Sequence, residues 1–184
     1  MTRPDSEPVE RILLVGFMAS GKSSVGRLLA RELGWRFLDF DDEVERRAGR
    51  TIPALFQEEG EEVFRRWEAD VGRELLGRRR AVLASGGGWP CVEGRLESLD
   101  SATVTVWLQV DGVTAVERAT QDGGTRPLLS TPDPGARAAE LLEARRRFYA
   151  RAEIHVDTRN RLPARIAREI QGALAGRLSG ASRP

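Results

Sequence analysis

Four short stretches of the chain hold residues whose types and spacing suit phosphoryl chemistry. The first, "GFMASGKSS", satisfies G-x-x-x-x-G-K-[ST] through Gly16, Gly21, Lys22 and Ser23, with a strand-like apolar run before it and a helical pattern after it. Backbone N–H groups of such a loop, here through Ala19, Ser20, Gly21, Lys22, Ser23 and Ser24, converge on phosphate oxygens at the positive end of a helix dipole. The Ser23 hydroxyl then holds Mg²⁺ and Lys22 reaches the β- and γ-phosphates. Lys22 is also the only lysine, the other 28 of 29 Lys and Arg residues being arginine. A compact ammonium enters between phosphates where a planar guanidinium does not fit, so the single lysine stands where a point charge is required. These residues imply a protein that binds a nucleoside triphosphate with magnesium.

The second stretch, "FLDFDDEVE", closes a strand-like run with Asp39 and Asp41. On an alternating strand the two side chains face the same way, at a carboxyl edge beside the phosphate loop. One then steadies the magnesium shell and the other accepts a proton from a hydroxyl. Asp42 suits the N-cap of a helix beginning near Glu43. The third stretch, "ASGGGWP", puts Gly86, Gly87 and Gly88 at the mouth of a strand, which costs chain entropy and implies a close approach to the backbone. The fourth, "QDGGTRPLLSTPDPG", is too rich in Gly, Pro and Asp for a buried element, and its Arg126 favours a mobile lid, about residues 120–136, over a plain surface loop.

These residues need a frame to bring them together. "RILLVG", "RFLDF", "AVLAS", "TVTVWLQV" and "EIHVD" have strand length and composition. Helical spacing runs through "KSSVGRLLAREL", with Val25, Leu28, Leu29 and Leu33 on one face and Gly34 as a stop, and through "VEGRLESL", "GVTAVERAT", "GARAAELLEARRRFY" and "LPARIAREIQGALAG". Alternating strands and helices predict a mostly parallel sheet covered on both faces, within a single domain spanning 1–184. One segment, about 42–80, breaks the alternation with consecutive helices punctuated at Gly49 and Gly60, and forms a natural wall for a substrate.

Bulk properties narrow the function further. A formal net charge of +1 implies no nucleic-acid partner, so anion binding must be local. Cys91 is the only cysteine, which excludes an internal disulfide and a cysteine-based metal site. His155 reads as a strand histidine rather than a catalytic one. The N-terminus lacks the apolar core of a secretory signal and no later run has membrane-spanning length, so the expectation is a cytoplasmic protein with no membrane partner. The first eight or so residues and "GRLSGASRP" are expected to fray.

Taken together, "GFMASGKSSVG", "FLDFDDEVE", "TIPALFQEEGEEVFRRWE", "SGGG", "TRPLL" and "RRRFY" resemble the shikimate kinase family, in its order and near its spacing, from about Arg11 to Leu174. The resemblance implies a three-layer α/β/α fold with a five-stranded parallel sheet in the order 2-3-1-4-5. It implies ATP-dependent phosphoryl transfer to the 3-hydroxyl of shikimate, with Mg²⁺, by a monomer. By motif, Asp41 meets the ring hydroxyls and serves as base, and Asp39 is the outer magnesium partner. Arg65 and Arg145 clamp the carboxylate, Glu68 supports the arginine, Phe56 and Phe64 pack the ring, and Gly86 to Gly88 offer backbone contacts. Arg126 closes on the transferring phosphate and Arg118 stacks on adenine.

Two departures from the family pattern stand out. Trp89 follows the glycines where a small or aliphatic residue is usual; it either narrows the acceptor pocket or packs under the next helix. The proline usual before the tyrosine of "RRRFY" is missing, which leaves Arg145, Arg146 and Arg147 as alternatives for the carboxylate. Aminoshikimate and gluconate are alternative acceptors that keep a carboxylate, and a nucleotide-holding regulator without an acceptor is the alternative outside catalysis.

Overall fold

The computed structural model describes residues 8–121 and 131–178. Apolar runs of four to seven residues form the strands, and each is short because a loop that carries chemistry takes over at its carboxyl end. In chain order the elements are β1 (Arg11–Val15), α1 (Lys22–Leu33), β2 (Arg36–Asp39), α2 (Phe40–Ala48), α3 (Ile52–Leu75), β3 (Ala81–Ala84), β4 (Thr103–Gln109), α4 (Gly112–Gln121), α5 (Pro134–Tyr149), β5 (Ile154–Asp157) and α6 (Pro163–Leu178).

The five strands form one sheet in the order β2-β3-β1-β4-β5, with every pairing parallel. All five β1 residues are buried, as a strand covered on both faces requires. Alternation along β1 divides the core. Ile12 and Leu14 pack with Val25 and Leu29 of α1 and Ile166 and Ile170 of α6. Leu13 and Val15 pack on the opposite face with Phe40, Leu55, Val71 and Tyr149 of α2, α3 and α5. The expected fold class and strand order are therefore those observed.

Helix α1 occupies the segment its periodicity predicts and ends at Gly34, whose φ of +65° is the left-handed cap conformation. The helical insertion is α2 followed by the 24-residue α3. Gly49 closes α2 at φ +67°, and Gly60, at φ +84° and ψ 171°, kinks α3, so both glycines punctuate as expected. His155 is exposed on β5, edge-on to Trp107 at 5.1 Å between ring centroids. Among the described residues no helix is long and apolar enough to cross a membrane.

Two expectations need correction. "VEGRLESL" forms successive turns rather than a helix, with Gly94 at φ +74° interrupting the helical path. Asp39, not Asp42, caps α2, because the helix begins at Phe40 and the Asp39 carboxylate accepts from the Asp41 amide at 3.0 Å. Asp42 instead pairs with Arg27 at 3.3 Å on the surface. Residues 122–130, the middle of the stretch expected as a lid and including Arg126, lie outside the described residues.

Trp89 points into the core. It is 3% exposed and meets Phe40 edge-on at 5.4 Å. It also lies against Gly72 of α3, where a Cβ would stand 2.8 Å from the indole Cε2 and 3.0 Å from Phe40. Alanine in a helix interior is ordinarily favoured over glycine by about 1 kcal/mol, but overpacking a core costs about 1–3 kcal/mol. Gly72→Ala is therefore expected to lower stability in chemical denaturation, and to cost less in a Trp89→Phe background; equal cost in both backgrounds would contradict this packing.

Candidate active site

In-register parallel pairing places Leu14 and Asp39 on either side of Ala84, so the carboxyl ends of β1, β3 and β2 lie at one level. Such an edge is where ligands bind in open α/β sheets. The loop leaving β1 turns sharply at Gly16, whose φ is +143° and where a Cβ would stand 2.6 Å from the Leu108 carbonyl oxygen of β4. Only glycine fits there. Ala19 is held at φ +54° and Gly21 at φ +92°, and α1 starts without a side-chain cap, so the loop wraps the helix N-terminus. Lys22 Nζ donates to the carbonyls of Gly16 and Phe17 at 3.0 and 2.9 Å, across the loop mouth.

Ser23 joins the loop to the next strand. Its hydroxyl donates to Asp39 Oδ2 at 2.6 Å, while Asp39 Oδ1 accepts the Asp41 amide. Burial pushes the Asp39 carboxyl above its usual range, against the opposing hydrogen bond from Ser23. Both Asp39 and Asp41 line a cleft of about 340 Å³ that also takes in loop residues 18–24. Two oxygen donors at a helix N-terminus suit a hard cation, and among the described residues no three His, Cys, Asp or Glu side chains converge to hold one alone.

The far end of the cleft is built around Arg118, whose Nη2 donates to the Thr158 carbonyl at 2.8 Å, and Nη1 contacts the Ala19 carbonyl at 3.4 Å. Thr158, Arg161 and Ile166 complete this end. The sequence reading passed over these three. The signal for Thr158 was the position of "DTRN" at the carboxyl end of the last strand, the edge that already carries the phosphate loop; Arg161 and Ile166 follow it in sequence.

At the other end stands the triple glycine. No φ there is positive, so the reason for glycine is space. A Cβ on Gly86 would run into the Glu68 carboxylate and stand 2.8 Å from Asp41 Oδ1. One on Gly88 would stand 2.8 Å from Cζ of Arg65. Gly87 is different: its nearest neighbours would be the Gly16 oxygen and Met18 nitrogen at 3.6 Å and Arg145 Nη1 at 3.7 Å, ordinary contacts. The close approach inferred from the glycines is thus made by the side chains of Asp41, Arg65 and Glu68.

Glu68, 2% exposed, accepts from Arg65 Nη1 at 2.8 Å through Oε2, and its Oε1 faces Gly86 with no hydrogen-bond partner among the described residues. Burial raises its pKa, opposed by the charges of Arg65, Arg95 and Arg145. Phe56 and Phe64 pair with each other, centroids 4.7 Å apart, with Phe64 in the core and the Arg65 guanidinium over its ring. Of the three arginines in "RRRFY", Arg145 faces Gly87 and the Phe17 ring, Arg146 lies near Glu143 on the surface, and Arg147 covers Phe148. Arg95 was missed as well: it donates to the Trp89 carbonyl at 2.7 Å and stacks on the indole behind the glycines.

A phosphate loop at the end of the central strand, a carboxylate pair beside it and an arginine-flanked corner on the same edge define a phosphate-loop kinase. A family model, "Shikimate kinase", matches residues 18–175. The chain belongs to the shikimate kinase family. It is 46% identical over 163 residues to the shikimate kinase of Moorella thermoacetica, covering 89% of this chain and 93% of that one. The structure of a shikimate kinase from Acinetobacter baumannii in complex with shikimate superposes with a TM-score of 0.86 at 37% identity, over 95% of this chain and 99% of that one. A gluconokinase from Sinorhizobium meliloti, at 23% identity and a TM-score of 0.55 over 95% of each chain, shares the fold.

The two duties of Asp39 can be separated. Asparagine caps a helix about as well as aspartate, while alanine forfeits the cap at about 1 kcal/mol. Thermal unfolding is expected to show Asp39→Asn at least as stable as the parent, since it removes a half-buried charge, and Asp39→Ala less stable. Equal loss in both would show that the charge, not the cap, holds α2.

Proposed function

We propose that the protein transfers the γ-phosphoryl group of ATP to the 3-hydroxyl of shikimate, yielding shikimate 3-phosphate and ADP. The observation that carries this reading is the opening of the Asp41, Glu68 and Arg65 corner onto the same sheet edge as the Lys22 loop, one carboxylate away from it. The acceptor named for the Acinetobacter structure supports the identity of the substrate.

In this reading the loop amides of residues 19–24 and Lys22 bind the triphosphate, and Arg118 lies at the adenine end of the cleft. Ser23 and Asp39 fit Mg²⁺, which when bound with ATP supplies charge neutralisation at the phosphates. Arg65 and Arg145 present planar forks to the acceptor carboxylate, with Glu68 holding Arg65 in place. The Gly86–Gly88 backbone and Phe56 and Phe64 shape the acceptor corner. The hydroxyl oxygen forms the new bond to the γ-phosphorus in line with the breaking bond to the β–γ bridging oxygen. The hydroxyl proton passes to the Asp41 carboxylate. Arg126 is assigned to the transferring phosphate from its motif alone. The protein works as a cytoplasmic monomer of one domain.

Coupled ADP release with ATP and Mg²⁺ tests the reading against no acceptor, shikimate, aminoshikimate and gluconate. Shikimate alone is expected to stimulate strongly, and Asp41→Asn to reduce that rate by about a hundredfold or more, the usual contribution of general-base catalysis. Equal slow hydrolysis under all four conditions would point to a nucleotide-holding regulator and sink the proposal.

A further inference from the structure

Tyr149 is the last residue of α5 and fully buried, its ring tilted against Trp107 with centroids 6.0 Å apart. A buried phenol needs a partner for its hydroxyl. Tyr149 donates to the carbonyl oxygen of Gly87, 62 residues away, at 2.5 Å.

The choice of partner matters because of what holds the glycine corner. Gly86 is pressed by Glu68 and Asp41, and Gly88 by Arg65, so packing fixes both. At Gly87, between them, a Cβ would meet ordinary contacts, so packing leaves this residue looser, and glycine has the most backbone freedom to lose. Beyond the Tyr149 hydroxyl, the hydrogen-bond partner of its carbonyl among the described residues is the weak donor Cys91 Sγ at 3.7 Å. Arg145 is one turn before Tyr149 on the same helix face, and its Nη1 lies within van der Waals reach of a Gly87 Cβ position. Burial drives the phenol's pKa well above its usual value, against the nearby Arg145 charge, so the hydroxyl stays protonated as a donor.

We propose that Tyr149 is a positioning residue for acceptor binding: its hydroxyl locks the Gly87 carbonyl and the Arg145 guanidinium into one fixed relation. The inference rests on the reading of this corner as the acceptor site. It adds the device that registers α5 on the loop after β3, so that the arginine from the helix and the backbone from the loop meet a single carboxylate-bearing ring.

The test uses Tyr149→Phe, which keeps the ring in the core and removes only the hydroxyl, with KM for shikimate, KM for ATP and the melting temperature measured together. Loss of one net hydrogen bond predicts a rise in KM for shikimate of about three- to tenfold, with KM for ATP changed by less than about twofold. Combined with Arg145→Lys, the two penalties should be less than additive, because the hydroxyl acts through that arginine. An unchanged KM for shikimate, a parallel rise in both KM values, or full additivity would overturn the proposal. A parent protein that shikimate does not stimulate would instead overturn the acceptor reading, and this inference with it.

Discussion

The Asp39 carboxylate is the joint on which the site depends. One oxygen receives the Ser23 hydroxyl from the start of α1 and the other receives the Asp41 amide from the start of α2. A single side chain thus ties the phosphate loop to the helix that carries the second aspartate. The sheet makes this possible: with β3 between them in register, β1 and β2 end at the same height. A slip of one residue would turn Asp39 to the opposite face and part the two halves.

The glycine corner follows from the same economy of space. Asp41, Glu68 and Arg65 crowd β3's carboxyl end closely enough that only glycine backbone fits beside them. Their closeness places charge in a buried setting, where burial raises the Glu68 pKa and the charges of Arg65, Arg95 and Arg145 oppose that shift. The surface arginines differ in kind. Pairs such as Arg66 with Glu62 or Arg73 with Asp70 are exposed at both ends and contribute little to stability.

Much of this was legible in the sequence, for reasons that differ by element. The phosphate loop was readable because strand, glycines, lysine and helix each add an independent constraint, and all five strands followed from apolar runs flanked by turn residues. The aspartate pair was legible through a wrong intermediate step. Asp39 and Asp41 do face one cleft, but as an N-cap and a first-turn residue, since the strand ends at Asp39. Trp89 was ambiguous because its destination depends on Gly72, seventeen positions earlier and on another element. Residues 92–99 carried helical spacing without helix, for Gly94 outweighs a short pattern. The Tyr149 hydroxyl was invisible, because only the fold brings it to Gly87.

Lys22 offers the most direct test of the central claim, that nucleotide phosphates meet this loop and that the acceptor corner is joined to it through Asp39. As the only lysine, it gives a single side-chain resonance in protein labelled with ¹³C at the lysine ε-carbon. Adding magnesium with a non-hydrolysable ATP analogue should move that resonance, and adding shikimate to the complex should move it again. A resonance that ignores the nucleotide would contradict the account at its base; one that answers the nucleotide but not shikimate would separate the two halves of the site.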